Sequence, residues 1–89
     1  MPHKPILYIK ATCPWCVEAI EFFDQTDVEL DVRDINKTPA YRDELVSKSG
    51  QSRVPTFIYK DFVVADFDVE EFTEALSKRE DIKETLGLY

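Results

Sequence analysis

The stretch ATCPWCVEAI, residues 11–20, holds the only two cysteines of the chain, Cys13 and Cys16, with a proline and a tryptophan between them. Two thiols at this spacing can serve as a structural bridge, as half of a metal site, or as a redox pair. A bridge between such near neighbours closes a very short loop and so constrains the unfolded chain little. Structural zinc generally takes four ligands. Beyond the two cysteines the chain offers one histidine, His3, ten residues before Cys13, at a terminus where order is usually poor. A metal held this way would have to be shared between molecules, and no metal is expected. Thiol–disulfide exchange needs an accessible thiolate that attacks and a tethered second thiol that releases the mixed disulfide. That is the chemistry this pair suits best.

The elements around the pair decide which sulfur does what. PILYI, residues 5–9, is a continuous apolar run rich in strand formers, as expected for a strand buried on both faces. Pro14 suits the first turn of a helix, where its missing N–H costs nothing. Cys16, Ala19, Ile20 and Phe23 then recur at helical spacing and give that helix one buried face. Cys13 therefore falls at the helix N-terminus, where free N–H groups and the helix dipole favour a thiolate. Cys16 lies one turn further in, on the same face and within reach. Cys13 is the expected nucleophile and Cys16 the resolving thiol.

Val28, Leu30 and Val32 alternate with charged residues and predict a second strand with one wet face. Strand, helix and strand in this order normally join parallel strands. Thr38 and Pro39 read as the cap and first turn of a second helix, with Tyr41, Leu45 and Val46 on its apolar side and Gly50 as its stop. PTFIYKDFVVA, residues 55–65, reads as two short strands joined at Lys60-Asp61. Asp68 and Glu71 form a capping-box pair before a third helix, whose buried stripe is Val69, Phe72, Ala75 and Leu76. Ile82 and Leu86 suggest a short last helix. The expected fold class is α/β, a central mixed sheet of about four strands flanked by helices, in one domain over residues 1–89.

Composition bounds the partners. The net charge is -7, and without a basic footprint nucleic-acid binding is not expected. Residues 1–60 carry nine acids and eight bases, whereas residues 61–89 carry nine acids and three bases. The imbalance thus sits in the last third, read as a solvated helical surface. Met1-Pro2-His3-Lys4 runs into an apolar stretch too brief for a signal-peptide core. No segment approaches the ~18 apolar residues of a membrane span. A cytoplasmic location is expected, where permanent disulfides are unusual, and a monomer is the default.

KATCPWC, then SGQSRVP about forty residues later, then FVVADFD before a helix, resembles the glutaredoxin family within the thioredoxin fold, over roughly residues 5 to 86. The resemblance is to the dithiol form rather than to the single-cysteine Cys-Gly-Phe-Ser form. It implies glutathione-dependent reduction of protein disulfides and of glutathione mixed disulfides, with disulfide-containing or glutathionylated proteins as partners. By the same resemblance Val54-Pro55 matches a Val–cis-Pro whose valine backbone pairs with the cysteinyl part of glutathione. Lys10 and Gln51 match positions that hold the glycine carboxylate. Asp68 matches the aspartate that pairs with the γ-glutamyl ammonium, and the Phe67 N–H faces the γ-glutamyl carboxylate. Trp15 stands where the family usually has tyrosine.

Two departures accompany the match. Arg53 replaces the usual threonine, and Ala65-Asp66 replaces the usual Gly-Gly. Arg53 is expected partly to offset the negative charge that Asp66 adds near an anionic ligand. Two other readings stay open at this point. One is a glutaredoxin-like electron donor recharged by thioredoxin reductase. The other is an iron–sulfur-bridged homodimer held through Cys13 and glutathione, against which Pro14 argues by stiffening the loop.

Overall fold

The structure is a computed structural model and describes residues 4–87. His3 therefore lies outside the described residues. Strands β1 (Ile6–Ile9), β2 (Asp31–Asp34), β3 (Thr56–Tyr59) and β4 (Phe62–Ala65) alternate with helices α1 (Pro14–Asp24) and α2 (Pro39–Ser49), and α3 (Val69–Ser77) and α4 (Glu80–Leu86) follow. The sheet order is β2-β1-β3-β4. β1 runs parallel to β2 and antiparallel to β3, and β3 pairs antiparallel with β4. This is the expected mixed sheet, with helices on both faces.

Each face has its own glue. Leu7 and Phe57 are register partners on the face that carries α1 and α3, and there all six phenylalanines of the chain meet. Phe72 of α3 sits at the centre, its ring 4.9 Å from Phe57 and 5.1 Å from Phe23. Aromatic pairs at such separations add about 0.5–1.5 kcal/mol each beyond the area they bury. Tyr8 points to the opposite face, where its hydroxyl donates to Glu44 of α2 at 3.1 Å. Arg33 of β2 also donates to Glu44, and to Asp31 at 2.8 Å. Burial, reinforced by Glu44, pushes the Tyr8 hydroxyl up to about 12. Because both layers cover β1, Leu7, Tyr8 and Ile9 are all buried.

Local signals account for most boundaries. Pro14 and Pro39 start α1 and α2, and Gly50 ends α2 at φ 75°. The capping box at Asp68 is complete, with the Glu71 N–H donating to the Asp68 carboxylate and the Asp68 N–H to that of Glu71. Lys60 takes φ 55° in the β3–β4 turn.

Three expectations need correction. The second strand begins at Asp31, three residues later than the alternation indicates; Val28 and Leu30 pack against the core from the preceding loop, and Val32, on an edge strand, is 46% exposed. Val46 is 45% exposed and leaves Leu45 as the buried residue of α2, because that helix covers only part of its sheet face. Thr38 occupies the cap position of α2, but its hydroxyl makes no capping hydrogen bond.

Candidate active site

The loop after β1 places both sulfurs. The Cys13 N–H donates to the Lys10 carbonyl at 3.1 Å, and the Cys13 carbonyl accepts from the Val17 N–H at 3.1 Å as the first bond of α1. Cys13 is thus the N-cap residue, with extended backbone, and Pro14 fills the first helical position. The Cys13 side chain makes no capping bond and remains partly accessible at the mouth of the site. One turn on, Cys16 is 1% exposed, and its sulfur accepts from the Lys10 N–H at 3.5 Å. Both are free thiols.

The two thiols differ in readiness. Burial pushes the Cys16 thiol up to about 12; the Lys10 N–H opposes this, and the adjacent Cys13 sulfur reinforces it. Cys16 therefore keeps its proton at neutral pH. Cys13 is the more accessible of the two sulfurs, and Cys16 lies buried one turn behind it.

Two walls flank Cys13. The first is the segment from Gln51 to Pro55. Its Val54–Pro55 bond is cis, and the Val54 carbonyl lies 4.0 Å from the Cys13 sulfur. Gln51 braces this wall from within. Its amide N–H groups donate to the Ser49 hydroxyl at 2.8 Å and the Thr56 hydroxyl at 3.1 Å, and its oxygen accepts from the Arg53 N–H at 2.6 Å. Thr56 in turn donates to the Arg53 carbonyl at 2.7 Å. Both amide hydrogens of Gln51 are therefore engaged within the protein, which the resemblance does not indicate.

The second wall is the segment from Asp66 to Asp68. With Trp15 and Glu71 it lines a cleft of about 240 Å³. Trp15 is 54% exposed and forms one side of this cleft beside Cys13. The Phe67 ring is buried in the aromatic cluster, while its N–H donates to the Pro55 carbonyl at 3.4 Å and ties the walls together. The expectation that this N–H faces a ligand carboxylate thus meets an amide already in use within the protein. Asp68 accepts from the Glu71 N–H through Oδ1 at 2.8 Å; its other carboxylate oxygen has no hydrogen bond among the described residues.

The two departures from the family pattern meet each other. Arg53 donates to the Asp66 carboxylate at 3.2 Å across the top of the walls. Asp66 holds φ 52°, a left-handed conformation that Asp tolerates better than most side chains. The expected charge offset is thus a direct ion pair. Lys10 is half-buried; its backbone serves both cysteines, and its side chain forms no ion pair among the described residues. Glu71 lines the cleft as well as capping α3. Its third place in the helix is the signal that the sequence carries for it, and that place by itself indicates a cap.

The glutaredoxin family model matches residues 6–64. Among solved structures, the thioredoxin-like protein BC3987 shares 29% identity over 81% of this chain and 99% of its own, with a TM-score of 0.72. The glutaredoxin from Archaeoglobus fulgidus shares 26% over 82% of this chain and 85% of its own, with a TM-score of 0.71. Buckwheat glutaredoxin, solved in complex with glutathione, shares 16% over 93% and 76%, with a TM-score of 0.69, and speaks for the thioredoxin-like fold alone. No curated protein matches the chain. A family match over most of the chain, on top of an exposed thiol backed by a buried one, leaves one assignment: the chain belongs to the glutaredoxin family, in its dithiol form, and is a thiol–disulfide oxidoreductase.

Proposed function

We propose that this oxidoreductase draws its electrons from glutathione and reduces both protein disulfides and glutathione mixed disulfides. The observation that carries this reading is the Cys13 sulfur, partly accessible and 4.0 Å from the Val54 carbonyl, with the Trp15–Asp68 cleft beside it. Glutathione would lie between the walls, its cysteinyl backbone along Val54 and Pro55 and its γ-glutamyl ammonium at Asp68. Lys10 and Arg53 supply positive charge for its carboxylates. The proposed setting is the cytoplasm, and the proposed working form is a monomer.

On a protein disulfide, the Cys13 thiolate attacks one sulfur and forms a mixed disulfide, and the other sulfur leaves as a thiolate that takes up a proton. Cys16 then gives up its proton and attacks the Cys13 sulfur. The second substrate thiol leaves, and a Cys13–Cys16 disulfide remains. Two glutathiones reduce that bridge and end as glutathione disulfide, so two electrons pass in each half. On a glutathione mixed disulfide, Cys13 attacks the glutathione sulfur and releases the protein thiol. A second glutathione frees Cys13, and Cys16 is not needed. The test is turnover of a small glutathione mixed disulfide with glutathione, NADPH and glutathione reductase. Activity should vanish in Cys13→Ser and persist in Cys16→Ser.

One feature favours a second reading, reduction of the Cys13–Cys16 bridge by thioredoxin reductase. The Gln51 amide hydrogens and the Phe67 N–H are engaged within the protein, which leaves fewer donors for the carboxylates of glutathione. Replacing glutathione and its reductase by NADPH and thioredoxin reductase, with a protein disulfide as substrate, separates the two. Faster turnover in the second mixture would put this reading first.

A further inference from the structure

At the end of β1 away from Cys13, the face that carries α2 is only partly covered. α2 lies over Tyr8, which bonds to Glu44, but Ile6, Ile58 and Val63 form a row beyond it. They are register partners across three strands, Ile6 with Ile58 and Ile58 with Val63. Val63 is 41% exposed. These three side chains floor a cavity of about 490 Å³ rimmed by Lys4, Lys48 and Lys60. Among the described residues no carboxylate lines it.

This rim stands out against the charge of the whole chain. The protein carries 18 acids and 11 bases, and Arg33, Arg53 and Arg79 each pair with an acid. Lys48 and Lys60 form no ion pair among the described residues, and Lys4 reaches only Glu29, at 3.6 Å. Lys60 projects from the β3–β4 turn with its ammonium 5.3 Å from the Tyr59 ring. Strands lie about 4.8 Å apart, so the apolar row spans about 10 Å and has room for two or three aliphatic side chains. A cationic rim around an apolar floor complements an acidic segment with aliphatic anchors, and charge complementarity of this kind gives specificity and speeds encounter.

We propose that the row Ile6–Ile58–Val63 and its rim of Lys4, Lys48 and Lys60 form a docking surface for an acidic segment of a partner protein. The partner's aliphatic side chains rest on the row and its carboxylates meet the lysines. Because the surface lies at the far end of β1 from Cys13, docking leaves the thiol chemistry unobstructed. It can hold a partner while Cys13 works elsewhere on the same molecule.

The test is fluorescence anisotropy of a labelled peptide of alternating glutamate and leucine against the full chain. Binding should weaken as salt rises and fall about tenfold in Lys48→Glu with Lys60→Glu. It should fall likewise in Val63→Asn, with thermal midpoints showing that the variants fold. Binding should survive Cys13→Ser with Cys16→Ser, and a lysine–leucine peptide should not bind. The proposal is overturned by absence of binding, or by binding that the lysine reversals leave unchanged. It is also overturned if the reversals abolish self-association of the chain, or flotation with anionic vesicles, while the peptide does not bind.

Discussion

At its C-terminal end α1 lays Phe23 flat against Phe57, with the rings 5.4 Å apart, and edge-on to Phe72. At its N-terminal end the same helix stops at Cys13, whose side chain caps nothing and remains partly accessible. One end is fixed by interlocked rings from three elements; the other is held by two backbone hydrogen bonds and is free to meet a substrate. Cys16 sits between them, buried like the aromatic end and chemically tied to the exposed one. The difference teaches where stability and reactivity reside in so small a chain. The aromatic end holds α1 against the sheet, so that Cys13 can stay partly open to water without loss of position.

Cutting into the aromatic end should give the largest change in stability. Phe72→Ala removes the ring at the centre of the cluster and should cost about 3–5 kcal/mol in denaturant unfolding. In the fraction still folded, the alkylation rate of Cys13 should be unchanged; a slowed rate would mean that the two ends are not separable.

A smaller effect concerns the residue between them. The Cys16 thiol is pushed up to about 12 by burial, whereas a thiol in the unfolded chain titrates near ~8.5. A raised value means that the neutral thiol is the form the fold favours. The stability it contributes is complete below the unfolded value and is lost as pH rises from there through about 12. Reduced wild type should therefore lose stability faster than Cys16→Ala across that window. Tyr8, also raised to about 12, is common to both proteins and cancels in the difference. Parallel pH curves would contradict the burial account of Cys16.

Asp68→Ala should cost about 1 kcal/mol, the usual worth of an N-cap side chain. If the glutathione reading holds, it should also weaken glutathione binding, which titration calorimetry would register; Asp68→Asn, which keeps a capping oxygen, separates the two effects. The smallest change in stability is expected for Arg53→Thr, since exposed ion pairs contribute about 0–1 kcal/mol. Its value lies in sharpening the contrast between fold and site, because a change in glutathione affinity without a change in stability would place the Arg53–Asp66 pair in recognition alone.

Much of the reactive end was legible in the chain itself. A proline after the first cysteine, apolar residues at helical spacing and the Asp68–Glu71 pair are local signals, and local signals set helix starts. The family resemblance added the cis bond at Val54–Pro55, which spacing alone does not indicate. What escaped were contacts between distant residues. Arg53 is engaged by Asp66 thirteen positions on and Tyr8 by Glu44 thirty-six positions on. Such pairings depend on how loops and layers come together. The edge position of β2 explains the exposure of Val32 in the same way: alternation shows which residues share a face, and says nothing of whether a neighbour covers it.

The most direct test of the account is the order in which the two thiols react. The reduced, folded chain would be treated briefly with iodoacetamide, quenched, and mapped by peptide mass spectrometry. Label should fall on Cys13, with Cys16 unmodified until the chain is unfolded. Label appearing on Cys16 first, or on both at one rate, would contradict the division into an attacking and a resolving thiol.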